Sequence, residues 1–172
     1  MLLAVSNVHF RNNLILGQSE TLETFAIESN TNYSDSDYNG FRPNKGVKDQ
    51  FQWLAPASGG TAYEPKPADW KGFGSLADLR AGTGQEAHGV EVDFDIFEKL
   101  SPPNPSNRHA VYHAMDLNFR LKPGGKAVDA GLAIPTINDD FKGRAPDLGA
   151  LEVGTPELKY GPTWLTWQPF YR

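Results

Sequence analysis

Short stretches in which apolar and polar residues alternate recur along this chain, and turns rich in Asn, Gly and Pro separate them. From Val90 to Ile96, every second residue is apolar and each residue between them is acidic. The same two-residue period is found in residues 8–16 and 25–29. Because this is the period of a strand with one buried face, the pattern predicts an all-β chain. Alternation alone also allows an antiparallel sandwich.

One short helix and several further strands complete the prediction. The helix is placed over residues 75–82, since Ser75 can cap its start, Asp78 follows three residues later and Gly82 suits its end. Residues 41–74 lack a regular pattern apart from a strand at 51–54, so they are interpreted as a long loop excursion, either functional or poorly ordered. The remaining strands are predicted near 109–115, 117–121 and 148–153.

Composition and charge narrow the classes of protein. A chain of 172 residues suits one domain, and its 17 Gly and 13 Pro suit many strands and turns. The net charge of −5 and the lack of a Lys/Arg cluster argue against a nucleic-acid partner. No apolar run approaches the length of a membrane span, and without cysteine there is neither a disulfide nor a thiolate metal site.

Residues 116–153 carry a chain of turn motifs. Leu121-Lys122-Pro123-Gly124 is followed by Ala127-Val128-Asp129-Ala130-Gly131, and later by Gly143-Arg144-Ala145-Pro146-Asp147-Leu148-Gly149-Ala150-Leu151-Glu152. Two earlier segments, 34–40 (Ser-Asp-Ser-Asp-Tyr-Asn-Gly) and 81–88 (Ala-Gly-Thr-Gly-Gln-Glu-Ala-His), fit the same type of protein. Together they resemble the ending of secreted right-handed parallel β-helix proteins of the pectate-lyase-like superfamily.

The resemblance implies a specific architecture. Residues 1–172 would form the C-terminal coils of an incomplete right-handed parallel β-helix, with the 41–74 excursion, one short helix and an aromatic tail, 154–172, closing the end. Asn residues at bends between strands would bond between adjacent coils, and Asn13 and Asn32, 19 positions apart, suggest the coil length. Since Met1 is not followed by a basic leader or a long apolar segment, we expect an internal start in a longer protein.

Two functions of different class follow from the resemblance. In the first, the secreted, cell-surface or periplasmic parent is a polysaccharide lyase or glycoside hydrolase, and this fragment acts on or binds polysaccharide without being catalytic alone. In the second, the chain is a non-catalytic structural or glycan-binding segment. An open N-terminal coil edge would favour association.

Arg80, Glu86 and His88 are the candidate catalytic residues. A His near a carboxylate can act as a general base, and an Arg can neutralise a uronate while the proton beside its carboxylate is removed. Asp93 lies close by in sequence. A His or Glu that only bonds the backbone is the competing interpretation, and the enzyme hypothesis requires these side chains to converge.

Acidic and aromatic residues supply the remaining candidates. Asp35 and Asp37 could provide two Ca²⁺ ligands from one loop, although Asp is also a common turn residue, and no other cofactor is indicated. The candidate carbohydrate-binding residues are Tyr38, Arg42 and Trp53, which could stack on sugar rings and bind carboxylates, or could pin the loop to the core. The tail around Trp164 and Trp167 could cover apolar surface or form a sugar platform.

Overall fold

The computed structural model describes residues 2–56, 70–107, 109–113 and 116–156. This part of the chain is mostly β, with one short α-helix and without a closed barrel, so the predicted all-β class is confirmed at that level. The strands are β1 (Leu2–Val5), β2 (His9–Arg11), β3 (Leu14–Leu16), β4 (Phe25–Ser29), β5 (Asp35–Asp37), β6 (Gly40–Arg42), β7 (Phe51–Leu54), β8 (Lys71–Phe73), β9 (Val90–Glu91), β10 (Phe97–Lys99) and β11 (Asn118–Leu121). The helix α1 is Leu76–Thr83, and a 3₁₀ turn covers Phe94–Ile96.

Three successive strands pair in parallel with the next three. β1 pairs with β4, β2 with β5 and β3 with β6, while β7 extends the first sheet and β9 extends the third. The partners in β2 and β5 are 26 positions apart, as His9 with Asp35 shows. The spacing of 19 between Asn13 and Asn32 is therefore not the repeat, and the prediction built on it is wrong. Asn39 is the residue that bonds Asn13.

Apolar side chains fill the space between these sheets. Phe10, Phe25, Phe41 and Phe51 come from four different strands, and their ring centroids follow one another at 5.1, 5.3 and 5.2 Å. A second cluster of buried apolar residues joins residues 92–97 to Leu121, Ala127 and Leu148. These two clusters form the core of the described part of the chain.

The predicted strand at 90–97 is only partly regular. Val92, Phe94 and Ile96 are buried and the acidic residues between them are exposed, so the predicted alternation of burial is confirmed. The backbone, however, leaves β9 after two residues and turns through the 3₁₀ segment, which the Asp93 carboxylate caps by accepting from the Phe94 amide at 2.7 Å. β10 then pairs antiparallel with β11, which confirms the strand predicted at 117–121.

The helix prediction is confirmed at its start and shifted at its end. Ser75 is the N-cap and accepts from the Asp78 amide at 3.1 Å. Gly82 lies within the helix, which ends at Gly84, where φ is 74° and the backbone takes the left-handed conformation that glycine tolerates best.

The strand predicted at 148–153 is wrong, because the Asp147 carboxylate accepts from the amides of Val153 and Asp129 at 2.7 and 2.8 Å and holds the segment as a turn. Residues 109–113 contain no strand.

The remaining predictions fall partly outside the described residues. The strand at 51–54 is confirmed as β7, whereas residues 57–69 of the predicted excursion lie outside the described ranges. The same holds for residues 157–172 of the predicted tail. In the part of the chain that the structure describes, there is no helix with the length and apolar character of a membrane span.

Candidate functional site

Polar side chains cover the outer surface of β2 and β5. Ser36 is 1% exposed and points inward, so Asp35 and Asp37 on either side of it point outward. In the parallel register, His9 lies beside Asp35 and Arg11 beside Asp37. We call this surface, together with two residues that extend it, the polar face: His9, Arg11, Asp35, Asp37, Tyr38 and His88.

The first half of the polar face is centred on the Asp35 carboxylate. The His9 Nδ1 atom lies 3.1 Å from both Asp35 oxygens, and the Arg11 Nη2 atom lies 2.5 Å from one of them. Arg11 also donates to the Phe10 carbonyl at 3.0 Å, which fixes its orientation. One carboxylate therefore positions an imidazole and a guanidinium side by side.

The second half is centred on Asp37. One oxygen of this carboxylate accepts from the amides of Tyr38 and His88 at 2.9 and 2.7 Å, and the other lies 2.8 Å from the His88 Nδ1 atom. Burial acts to raise the pKa of Asp37, but these hydrogen bonds, led by that of the His88 side chain, hold the pKa below its ordinary value. The Tyr38 and His88 rings stack with centroids 4.3 Å apart and planes 14° apart.

The carboxylate partners determine which ring nitrogen carries the proton in His9 and in His88. An ionised carboxylate only accepts hydrogen bonds, so the Nδ1 atom of a neutral His beside it carries the proton and the Nε2 atom carries the lone pair. His88 is held this way by Asp37, and its side chain is 58% exposed. The Nε2 atom of His88 is thus an acceptor or base on the outer surface.

A buried polar cluster lies beneath the polar face. Glu86 is fully buried, and its Oε1 atom accepts from the Ser36 hydroxyl and, at 2.8 Å, from the Asn39 amide group. Burial raises the pKa of Glu86, because these hydrogen bonds offset only part of the lost hydration and nearby Asp37 adds repulsion. Asn39 also accepts from the Asn13 amide at 2.9 Å, so the cluster connects three parallel levels of the fold.

Arg80 binds the backbone of the loop that carries Glu86 and His88. Its Nε atom donates to the Glu86 carbonyl at 2.7 Å and its Nη2 atom donates to the Gly89 carbonyl at 2.9 Å. The three candidate catalytic residues therefore meet at one loop with different orientations: His88 faces outward, Glu86 faces the interior, and Arg80 bridges α1 to the loop backbone. Their predicted catalytic role stays a prediction.

The candidate carbohydrate-binding residues are not brought together. Tyr38 lies on the polar face, where a positive φ of 56° turns the chain after β5. Trp53 is 7% exposed and belongs to the core. Arg42 lies on β6, pairs with Asp93 at 2.5 Å and covers the Phe94 ring at 5.4 Å from its centroid. The bond from Arg42, followed by that from the Phe94 amide, lowers the pKa of Asp93.

The candidate metal ligands Asp35 and Asp37 each already bind a histidine. Over residues 2–56, 70–107, 109–113 and 116–156, no group of three or more His, Asp or Glu side chains is arranged to hold a metal ion. The Ca²⁺ hypothesis for this pair therefore stays a prediction.

The acidic residues of the 116–153 motif make backbone contacts. Asp129 accepts from the amides of Arg144 and Ala145, chiefly the former, and these bonds lower its pKa. The Arg144 guanidinium lies 3.6 Å from Asp129, not beside Asp147 or Glu152, and is 90% exposed. Burial raises the pKa of Glu152, whose Oε1 atom accepts from the Asp147 amide. In this motif, carboxylate side chains hold the turns by accepting hydrogen bonds from backbone amides.

Sequence reasoning missed His9 and Arg11. Both lie in a short strand that carries no motif, and their position beside Asp35 and Asp37 depends on the parallel register. The signal that could have found them is the spacing of 26, which places His9 and Arg11 opposite the two aspartates.

Comparison with family models, with curated proteins and with solved structures finds no match for this chain.

Proposed function

We propose that this chain is part of a secreted right-handed parallel β-helix protein similar to the pectate-lyase-like superfamily, and that it binds polysaccharide along the polar face. The parent protein would be secreted, on the cell surface or periplasmic. The fold proposal is supported by the parallel pairing of three successive strands with the next three, at a spacing of 26 in β2–β5 and β3–β6 and of 24 to 25 in β1–β4. The hydrogen bond between the side chains of Asn13 and Asn39, which lie at bends of successive strand layers, also supports the fold proposal.

One observation carries the binding proposal: the polar face places ordered donors, acceptors and a stacked ring pair on neighbouring parallel strands. A glycan presents hydroxyl groups, which both donate and accept, and apolar ring faces, which pack on aromatic rings. Asp35 and Asp37 supply acceptors, Arg11 supplies a donor, and Tyr38 with His88 supplies the ring surface. These side chains are held by mutual bonds, so little side-chain entropy is lost when a ligand binds.

Binding is tested by affinity electrophoresis and calorimetry with polygalacturonate, alginate and a neutral glucan. We expect binding to at least one polymer, and Tyr38→Ala and His88→Ala should each weaken it about tenfold, consistent with roughly 1–1.5 kcal/mol for a lost stacking partner. Tyr33→Ala is the matched control, because Tyr33 is an exposed tyrosine that does not belong to the polar face. Trp53→Phe tests the core residue and should leave binding unchanged.

Absence of binding to every polymer, with the chain folded, would favour the alternative that this is a non-catalytic structural segment. Equal losses in Tyr33→Ala and Tyr38→Ala would move the binding surface away from the polar face.

A second function, elimination in an acidic polysaccharide by the parent protein, is favoured by the orientation of His88. With Nδ1 bonded to Asp37, the Nε2 atom can take the proton beside a uronate carboxylate while the bond from the ring to the leaving sugar oxygen breaks. The product is an unsaturated uronate, and the leaving oxygen takes up a proton.

Elimination is measured as the ultraviolet absorbance of the unsaturated product, with and without added Ca²⁺. On this chain alone we expect binding without turnover, and on a longer chain we expect turnover that His88→Ala abolishes. A longer chain whose turnover survives His88→Ala would place the base elsewhere. Dependence on Ca²⁺ that is lost in Asp35→Asn or Asp37→Asn would assign those carboxylates to the metal.

A further inference from the structure

A polar cavity lies where the turn before β5 meets the end of β7, the start of β8 and the end of α1. It has a volume of about 270 Å³. Ligand pockets commonly span roughly 300–1,000 Å³, so this cavity suits one small chemical group rather than a whole oligosaccharide. The side chains that bring hydrogen-bonding groups other than an indole to its lining are Asn32, Ser34, Lys71, Thr83 and Gln85.

Two amide side chains offer this cavity donors rather than acceptors. The Gln85 Oε1 atom already accepts from the Ser36 amide at 2.8 Å. The Oδ1 atom of Asn32 is buried, so a ligand in the cavity does not reach it. The NH₂ group of each side chain is therefore the part that is left for a ligand, and neither group donates to another atom of the described residues.

The two hydroxyl groups of the cavity are committed to the fold. Thr83 donates to the Leu79 carbonyl at 2.6 Å, and Ser34 shares a hydrogen bond of 2.7 Å with Ser29. The side-chain groups that remain for a ligand are thus the two amide NH₂ groups and the Lys71 ammonium, all of which only donate.

Lys71 gives the cavity a positive charge. It is exposed on β8, opposite Trp53 in the antiparallel register, and no Asp or Glu is among the described residues that line the cavity. The end of α1 at Thr83 acts in the other direction, because the carbonyl end of a helix carries about half a negative charge. The Leu79 and Arg80 carbonyls of that end already accept hydrogen bonds, so the full charge of the ammonium group dominates.

We propose that this cavity binds an oxyanion, such as a carboxylate, sulfate or phosphate group, through Lys71 and the amide groups of Asn32 and Gln85. An ionised oxyanion accepts several hydrogen bonds and donates none, which matches a lining that only donates. The same group can be a free anion or part of a glycan. The proposal does not rest on polysaccharide binding along the polar face, because the two surfaces share no residue.

Titration with sodium sulfate, phosphate or acetate at constant ionic strength, followed by ¹H–¹⁵N NMR, tests the site. We expect saturable shifts of the backbone amides of Asn32, Lys71 and Gln85 with at least one salt, since these residues come from three separate segments around the cavity. Lys71→Met keeps an unbranched side chain and removes the charge, so it should weaken binding about tenfold or more.

Gln85→Glu is the sharper variant. It keeps an acceptor for the Ser36 amide but replaces the donor with a negatively charged oxygen, so it should abolish anion binding. Lys99→Met is the matched control, because Lys99 is an exposed lysine in β10 that does not line the cavity, and it should leave the affinity unchanged. A circular-dichroism melt checks that each variant folds, and Lys71→Met, at an exposed position, tests the site even if Gln85→Glu does not fold.

Dextran sulfate and unmodified dextran identify the source of the anion. Competition of dextran sulfate with inorganic sulfate, with dextran inert, would show that a glycan-borne group reaches the cavity. Binding of the inorganic salts without any effect of dextran sulfate would restrict the site to free anions.

Three results would overturn the proposal. A folded parent chain that shows no saturable shift with any of the three salts would mean that the cavity is not an anion site. Equal affinities in Lys71→Met and Lys99→Met would mean that anions respond only to the general surface charge. Binding that survives in folded Gln85→Glu would place the anion elsewhere.

Discussion

Glu86 is the residue whose environment departs most from what its chemistry prefers. It is a fully buried carboxyl group in a left-handed backbone conformation (φ 54°), and its side chain is bonded by neutral groups from Ser36 and Asn39. Arg80 is close in sequence, but it donates to the Glu86 carbonyl rather than to the carboxyl group. A buried carboxyl without a bonded cation favours its protonated form.

This environment predicts that Glu86 destabilises the fold as the pH rises. The pKa of Glu86 is raised in the folded chain, so its stabilising contribution is complete below the pKa of the unfolded chain and is lost as the pH increases through the raised folded value. Glu86→Gln keeps an acceptor for Ser36 and Asn39 and removes the charge. Urea unfolding should show the variant gaining stability relative to the parent chain as the pH rises from about 4 to neutral.

The exposed Glu91→Gln is the control for the Glu86 prediction and should leave the pH dependence unchanged. A Glu86→Gln curve parallel to that of the parent chain at every pH would contradict a raised pKa in the folded state. Ser36→Ala, which removes one donor to the carboxyl, should steepen the loss of stability with pH.

At the scale of elements, α1 holds the loop that carries His88. The helix packs on the core through Leu76 and Leu79, and Arg80 extends from it to two loop carbonyls. The loop in turn places His88 against Asp37. The orientation of the second half of the polar face, around Asp37, therefore depends on a helix that does not belong to that face.

Removing the Arg80 contact should loosen the loop more than the core. Arg80→Ala is expected to cost on the order of 2 kcal/mol, because two carbonyl groups lose a charged donor. Arg144→Ala, at a 90% exposed arginine, should cost less than about 0.5 kcal/mol. Chemical denaturation gives both values.

Hydrogen exchange distinguishes local from global loosening in Arg80→Ala. Faster exchange confined to residues 84–91 would fit the proposed contact. Uniformly faster exchange, or an equal cost in the two arginine variants, would contradict it.

At the scale of the whole molecule, the stack of parallel strands has an open side. Within the described ranges, β1, β2 and β3 each have a strand partner on one edge only. Their apolar side chains are correspondingly less covered: Phe10 is half-buried, whereas Phe25 in the next level is 5% exposed. An unpaired strand edge above a partly covered core is a surface on which a further strand can add.

This open edge predicts self-association that depends on concentration. Light scattering after size exclusion should give a mass that rises with protein concentration, and Leu2→Lys should suppress the rise because it places a charge at the β1 edge. Leu22→Lys is the control, since Leu22 is exposed in the connection between β3 and β4. A monomer at every concentration, or equal effects of the two lysines, would contradict the prediction.

The sequence by itself determined some of the local elements and part of the core. Period-two alternation placed β4 and the buried Val92, Phe94 and Ile96, because a strand alternates the sides to which its residues point. Ser75 marked the start of α1, because its hydroxyl can accept from a free amide in the first turn of a helix. These features depend on neighbours within a few residues, and the sequence contains those neighbours.

Only the tertiary structure decided which distant residues meet. Asn13 bonds Asn39 rather than Asn32, and Ser36 bonds Glu86 across three intervening strands and the helix, because parallel register depends on the lengths of irregular connections. Residues 148–153 form no strand, since Asp147 takes the amide that a strand partner would need. The polar face exists because that register sets His9 and Arg11 beside two aspartates, a proximity of side chains that no local pattern encodes.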